Sequence, residues 1–235
     1  VDSMFLEGKV EFWNKMIEHP DYDDFWKRKN LLPHLHNIRC PVMLVTGWYD
    51  AEDLYGSFEV YRSVEEKNPG ISNTLVVGPW AHGGWARSGG DHLGTAYFGS
   101  NTSDFYREQI ELPFFKHHLK DGPDPELPEA YVFETGSNQW RKFDHWPPLA
   151  SSEKTLYLAD GGGLTFESQK DEIEFDQYLS DPAHPVPYTE TITPGMTREY
   201  MTDDQRFASR RPDVLVYQTA VLEEDVTLTG TMPAD

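Results

Sequence analysis

Between positions 38 and 119, short continuous apolar runs alternate with stretches of helical spacing. Val42-Met43-Leu44-Val45-Thr46, bounded by Pro41 and Gly47, has the pattern of a strand buried on both faces. Leu54, Phe58, Tyr61 and Glu65 then fall on one helical stripe, apolar in its first three members. Thr74-Leu75-Val76-Val77 repeats the buried-strand pattern and stops at Gly78-Pro79. A further helix is expected over about Phe105 to Leu119, kinked or restarted at Pro113. Strand, helix, strand, helix predicts a parallel sheet with covering helices.

The flanks have a different texture. Phe5, Phe12, Trp13, Met16 and Ile17 recur at roughly helical spacing up to His19-Pro20, so residues 1–30 read as an incomplete helical region. Beyond the turn-rich linker Asp121-Gly122-Pro123-Asp124-Pro125 the chain breaks into short alternating segments. These are Tyr131–Thr135, Trp140–Phe143, Lys154–Leu158, Ile173–Leu179, Val214–Thr219 and Val226–Thr229, the signature of a thin β-sandwich. The expected plan is therefore α/β plus all-β: a helical segment at 1–30, an α/β unit at 31–122 and a sandwich at 123–235.

Composition narrows the possible partners. The 235 residues carry 40 acidic against 20 basic side chains, a net charge of −20, so nucleic-acid backbones and anionic membrane surfaces are repelled. No apolar run approaches the ~20 residues that span a bilayer. Seven Trp, twelve Tyr and thirteen Phe demand a packed core and exclude a disordered acidic tail. The single cysteine, Cys40, excludes an internal disulfide and a cysteine-based zinc site. His34 and His36, the adjacent His117 and His118, and Asp91-His92 lack the i, i+4 spacing that sets two ligands on one helical face, so neither a metal nor another cofactor is expected.

The candidate chemistry lies at two strand ends. Gly47-Trp48-Tyr49-Asp50 follows the first buried strand and Gly78-Pro79-Trp80-Ala81-His82-Gly83-Gly84-Trp85 follows the second. Ligands of open α/β sheets bind outside the carboxyl ends of strands, so Asp50 and His82 are expected side by side. A carboxylate that orients an imidazole makes a general base. Acid then base, on consecutive strand ends, matches the last two members of the Ser, Asp, His order of α/β-hydrolases.

Three stretches sharpen this reading. They are His19-Pro20-Asp21-Tyr22-Asp23-Asp24-Phe25-Trp26, Pro41 through Gly47-Trp48-Tyr49-Asp50-Ala51-Glu52-Asp53, and Gly78 to Trp85. With Ser180-Asp181-Pro182-Ala183-His184-Pro185-Val186-Pro187-Tyr188 and the run from Asp204 to Asp213, the chain resembles the α-amino-acid ester hydrolases and glutaryl-7-aminocephalosporanic acid acylases. These group with cocaine esterase and the X-Pro dipeptidyl peptidases, whose plan is an α/β-hydrolase domain, a helical cap and a jelly roll. The resemblance implies that 1–30 is the end of the cap, 31–122 the C-terminal part of the hydrolase domain and 123–235 a jelly-roll sandwich.

It also implies Asp50 as triad acid, His82 as triad base and an acyl ester or amide as substrate. The family nucleophile, a Ser in Gly-x-Ser-x-Gly, is missing: Ser3 is the only serine before Asp50 and has no such setting. The expectation is a C-terminal portion whose partner is the missing N-terminal half of the same protein. Family members hold a substrate α-ammonium with a carboxylate cluster, for which Asp21, Asp23 and Asp24 are the candidates in the cap; as first-turn acids of a helix they have an alternative explanation. Trp48, Tyr49, Trp80 and Trp85 are candidates for an acyl pocket or for packing. Glu52 and Asp53 are assigned no role, since acids are common in a first helical turn. Oligomers and a periplasmic or secreted bacterial setting are implied by resemblance alone. The alternatives are a dipeptidyl peptidase or cocaine-type esterase and, in another class, a carbohydrate-binding sandwich, for which the α/β half has no use.

Overall fold

The computed structural model describes residues 2–168, 175–195, 197 and 199–232. A π-helical turn, Asp2–Leu6, precedes helices α1 (Glu11–Glu18) and α2 (Asp24–Lys27), and a 3-10 turn at Leu32–His34 leads into the sheet. The α/β unit then runs β1 (Val42–Gly47), α3 (Leu54–Lys67), β2 (Asn73–Gly78) and α4 (Gly84–Arg87). A two-residue ribbon, β3 (His92–Leu93) with β4 (Ala96–Tyr97), follows, and then α5 (Thr102–Tyr106), a π segment (Arg107–Glu111) and α6 (Leu112–Lys120). Pro113 sits in the first turn of α6, where a missing N–H is least costly, and the π segment before it takes up the change of hydrogen-bond register.

The main sheet has the order β1-β2-β5-β6, with β5 (Ala130–Glu134) and β6 (Gln139–Phe143). β1 and β2 are parallel in the register Val42↔Asn73 to Gly47↔Gly78, and β2 is parallel to β5. All six residues of β2 are buried, as a central strand covered on both faces requires. Alternation divides the core. Leu75 and Val77 pack with Tyr61, Ala130, Val132 and Trp146 on one face, while Val76 packs with Trp80, Tyr106 and Ile110 on the other. The fourth member of the α3 stripe, Glu65, is not an exception to the pattern: its carboxylate accepts from Asn73 Nδ2 at 2.7 Å.

The first two segments expected in the sandwich, Tyr131–Thr135 and Trp140–Phe143, instead complete this sheet, so it crosses the expected boundary at 122/123. The reason is visible in β5. Ala130 and Val132 enter one core layer and Tyr131 the other, so both faces of this strand are covered. β6 is the antiparallel outer strand, and its exposed Gln139, Arg141 and Lys142 suit an edge.

The last third is sparser. β7 (Tyr157–Ala159) pairs with β8 (Gly163–Thr165), and Gln218 bridges to Gly163 in parallel. Thus Lys154–Leu158 is realised as a strand that starts three residues later and ends one later, and Val214–Thr219 only as a bridge. Val226–Thr229 and residues 175–179 carry no strand, and Ile173 and Glu174 lie outside the described residues. A 3-10 turn (Glu199–Thr202) and α7 (Arg206–Ser209) complete the described elements. No helix among the described residues is long and apolar enough to cross a membrane.

Asn68, 8% exposed at the end of α3, ties the segment before β1 to this core. Its Nδ2 donates to Leu35 O (2.9 Å) and Val64 O (3.0 Å), and its Oδ1 accepts from Ile38 N at 2.8 Å. Asn68→Ala leaves the Ile38 amide and Leu35 carbonyl without these partners. A loss of about 1–3 kcal/mol in urea unfolding is expected, and an unchanged midpoint would show that the anchor contributes nothing.

Candidate active site

Two glycines bring the strand ends together. The Trp80 carbonyl crosses over the end of β1 and accepts from Tyr49 N at 3.1 Å, while Gly78 O accepts from Trp48 N at 2.9 Å. A Cβ on Gly47 would lie 2.1 Å from the Trp80 oxygen, and one on Gly78 would lie 2.4 Å from the Trp80 ring. Both positions therefore need glycine for close approach. Beneath the crossing, Trp80 is 2% exposed and its indole N–H donates to Thr102 Oγ1 at 2.9 Å. Two residues beyond Trp80, His82 emerges beside Asp50.

Asp50 is 2% exposed, but its carboxylate is well supplied with donors. Oδ1 accepts from Glu52 N (2.9 Å) and Asp53 N (3.1 Å), at the turn that leads into α3. Its oxygens lie 3.2 and 3.0 Å from His82 Nδ1. Three donors on a buried carboxylate satisfy the requirement that a desolvated anion be paired. The ring of His82 is partly exposed, with Nδ1 held by Asp50 and Nε2 at the far side. Gly83 follows at φ +68°, so the chain turns at once into α4.

Two further acids approach the same ring. Asp53 Oδ2 is 3.5 Å from His82 Nδ1, and Glu52 Oε2 is 3.9 Å from His82 Nε2. Sequence reasoning assigned these residues no role because first-turn acids are ordinary. The signal that identifies them is their position two and three residues after an acid whose strand end faces a histidine. Asp50, Asp53 and His82 also form a group of three candidate metal ligands.

The expected cap carboxylates have local partners. Asp23 caps α2 through Phe25 N (2.9 Å), and its other oxygen pairs with His19 Nδ1 at 2.6 Å. Asp24 is exposed and 3.9 Å from Lys27, and Asp21 is exposed with its carbonyl accepting from Asp23 N. Among the described residues no hydrogen bond or ion pair joins Asp21, Asp23 or Asp24 to Asp50 or His82.

Of the four aromatics, Trp80 is buried in the core and Trp48 stacks on Phe58 with its N–H on Phe133 O at 2.8 Å, so both pack against the domain. Tyr49 stacks on Phe98, and its partial burial raises the phenol pKa. Trp85 alone of the four has its ring against His82, with centroids 6.5 Å apart.

An acid and an imidazole on consecutive parallel strand ends define an α/β-hydrolase-type site. The N-terminal third supports this directly: residues 4–84 match the profile of the X-Pro dipeptidyl-peptidase (S15 family), and residues 125–235 match its C-terminal non-catalytic domain. The two profile matches together support the S15 family. It is 30% identical to the cocaine esterase of Rhodococcus sp. (strain MB1 Bresler), over 97% of this chain and 41% of that protein. The crystal structure of an aminopeptidase from a marine sediment Thaumarchaeota archaeon superposes with TM-score 0.86 at 38% identity, over 92% of this chain and 37% of that one. A selenomethionine-labelled α-amino acid ester hydrolase gives 0.84 at 32% identity, over 95% of this chain and 38% of that one. The chain thus spans about two fifths of the length of these relatives.

Two outcomes are expected from this geometry. Gly47→Ala forces the Trp80 carbonyl away, with a loss of at least about 1–3 kcal/mol in chemical denaturation and of the close Asp50–His82 contact; a variant of unchanged stability would refute the close approach. His19 donates to Asp23 and holds its carboxyl below the ordinary 3.8. The pair therefore stabilises the start of α2 above that pH, and the contribution is lost as pH falls through the lower folded value. NMR titration of Asp23 should show the depressed midpoint, and His19→Ala should raise it toward the ordinary value, the backbone N–H of Phe25 still holding it somewhat below.

Proposed function

We propose that the chain is the C-terminal portion of a serine hydrolase that cleaves acyl esters or amides through an acyl-enzyme. The observation that carries the reading is the Asp50–His82 pair at consecutive strand ends. Asp50 holds the His82 ring with Nδ1 as donor, so that Nε2 presents a lone pair to the hydroxyl of a serine supplied by polypeptide outside these 235 residues. His82 takes that proton as oxygen attacks the acyl carbon, and Asp50 stabilises the imidazolium. The same proton then passes to the leaving alcohol or amine. Water repeats the sequence to release the acid.

Glu52 and Asp53 supply the specificity. The acids nearest to His82 after Asp50 are theirs, whereas Asp23 is engaged by His19 and the α2 backbone. Two carboxylates beside the reacting centre favour an acyl group that carries a positive charge, such as an α-ammonium, through charge-assisted pairing. An α-amino ester, a β-lactam with an α-amino acyl side chain and the N-terminus of a peptide share that group. Trp85 contributes an apolar wall. Residues 1–30 fit the end of a cap. The C-terminal profile match and the β7–β8 hairpin with its bridge from Gln218 support a jelly roll in the last third, and two strands of the main sheet fall within the span of that profile.

The chain alone should not turn over p-nitrophenyl acetate in a His82-dependent way. Joined to an upstream segment bearing the nucleophile, it should do so, and His82→Ala should lower kcat about 10³-fold or more. Glu52→Gln with Asp53→Asn should raise KM for an α-amino ester about tenfold and leave the des-amino ester nearly unchanged. Equal effects on both esters would contradict the ammonium role.

A further inference from the structure

Among the described residues, one group of three or more candidate ligand atoms lies within 4.8 Å of one another, and it is Asp50, Asp53 and His82. Its dimensions suit a small transition cation. Bonds of about 2.0–2.1 Å to nitrogen and oxygen in a tetrahedron place neighbouring ligand atoms about 3.3 Å apart. His82 Nδ1 is 3.0 Å from Asp50 Oδ2 and 3.5 Å from Asp53 Oδ2. Asp50 Oδ1 already receives two backbone N–H groups, which fix the carboxylate and leave Oδ2 for a cation.

A second observation points the same way. On the other side of the ring the exposed Glu52 carboxylate lies 3.9 Å from Nε2, too far for a hydrogen bond as it stands but within reach of one by a side-chain rotation. A histidine that ligates a metal through one nitrogen commonly directs its other N–H to a carboxylate, which fixes the tautomer and raises the basicity of the ligating nitrogen. Imidazole with carboxylates suits zinc, while magnesium and calcium prefer oxygen alone. The net charge of −20 further favours cations near the surface.

We infer that His82, Asp50 and Asp53, backed by Glu52, form an inhibitory binding site for a zinc-class divalent cation. Zinc replaces the proton on Nδ1, and one proton is taken up on Nε2, so the ring stays neutral and no net proton is released. The lone pair on Nε2 is lost and the Asp50–His82 hydrogen bond is broken. Filled, the site cannot serve as a general base. That the cation binds rests on the geometry of these side chains, whereas that it inhibits rests on the hydrolytic reading, so binding can be shown or refuted whether or not that reading holds.

The test uses the purified 235-residue chain. Titration with zinc chloride against a chromophoric zinc chelator should show one site of micromolar affinity that a millimolar excess of magnesium does not displace. Asp53→Asn should weaken it about tenfold or more; Asp53 is exposed and makes no capping hydrogen bond, so this variant keeps the fold. His82→Ala should abolish the site while leaving His34, His36, His92, His117, His118 and His184 in place. In ¹⁵N NMR, zinc should move the His82 ring proton from Nδ1 to Nε2. Zinc binding that survives His82→Ala, or that magnesium matches, would assign the effect to the acidic surface and overturn the proposal.

Discussion

The Trp80 carbonyl reaches the Tyr49 amide because Gly47 carries no side chain, and the geometry of the candidate site follows from that crossing. It brings the loop after β2 over the end of β1, so that His82 lands beside an aspartate 32 residues earlier. The crossing is held from below. Trp80 is buried among Tyr106, Trp85 and Trp140, and its indole N–H is fixed by Thr102. Thr102 in turn donates to Gly90 O at 2.6 Å, closing the loop that carries α4. The aromatic residue that the sequence places beside the histidine thus acts as a keystone of the core. Trp85 is left as the ring beside His82.

The same arrangement explains how a chain so rich in acids places a few of them in a defined setting. Asp50 is buried and takes two amides and an imidazole, while Glu52 and Asp53, exposed on the turn, direct their charge at the ring without being desolvated themselves. A buried acid that orients the ring and two exposed acids beside it are distinct settings. Burial assigns them.

Much of this was legible in the sequence. The two buried strands were marked by continuous apolar runs ending in glycine, and the dyad by an aspartate and a histidine on those ends. What misled was texture: Tyr131–Thr135 and Trp140–Phe143 follow a Pro- and Gly-rich linker, yet β5 has apolar residues in both core layers and so closes the α/β sheet. Alternation beyond 150 overstated strand content, since a polar–apolar alternation also fits extended chain that pairs only at single bridges such as Gln218. Glu52 and Asp53 read as ordinary first-turn acids, and their spacing from Asp50 becomes a signal only once the turn is known to bend back toward His82. That requires the β1–β2 register.

The central claim is that this fold, by itself, presents His82 as an oriented general base. ¹⁵N NMR of the ring in the metal-free 235-residue chain, above its pKa, measures this directly. The account predicts the tautomer protonated on Nδ1, and a shift toward the Nε2-protonated form in Asp50→Asn. A ring protonated on Nε2, or one indifferent to the loss of the Asp50 charge, would contradict it.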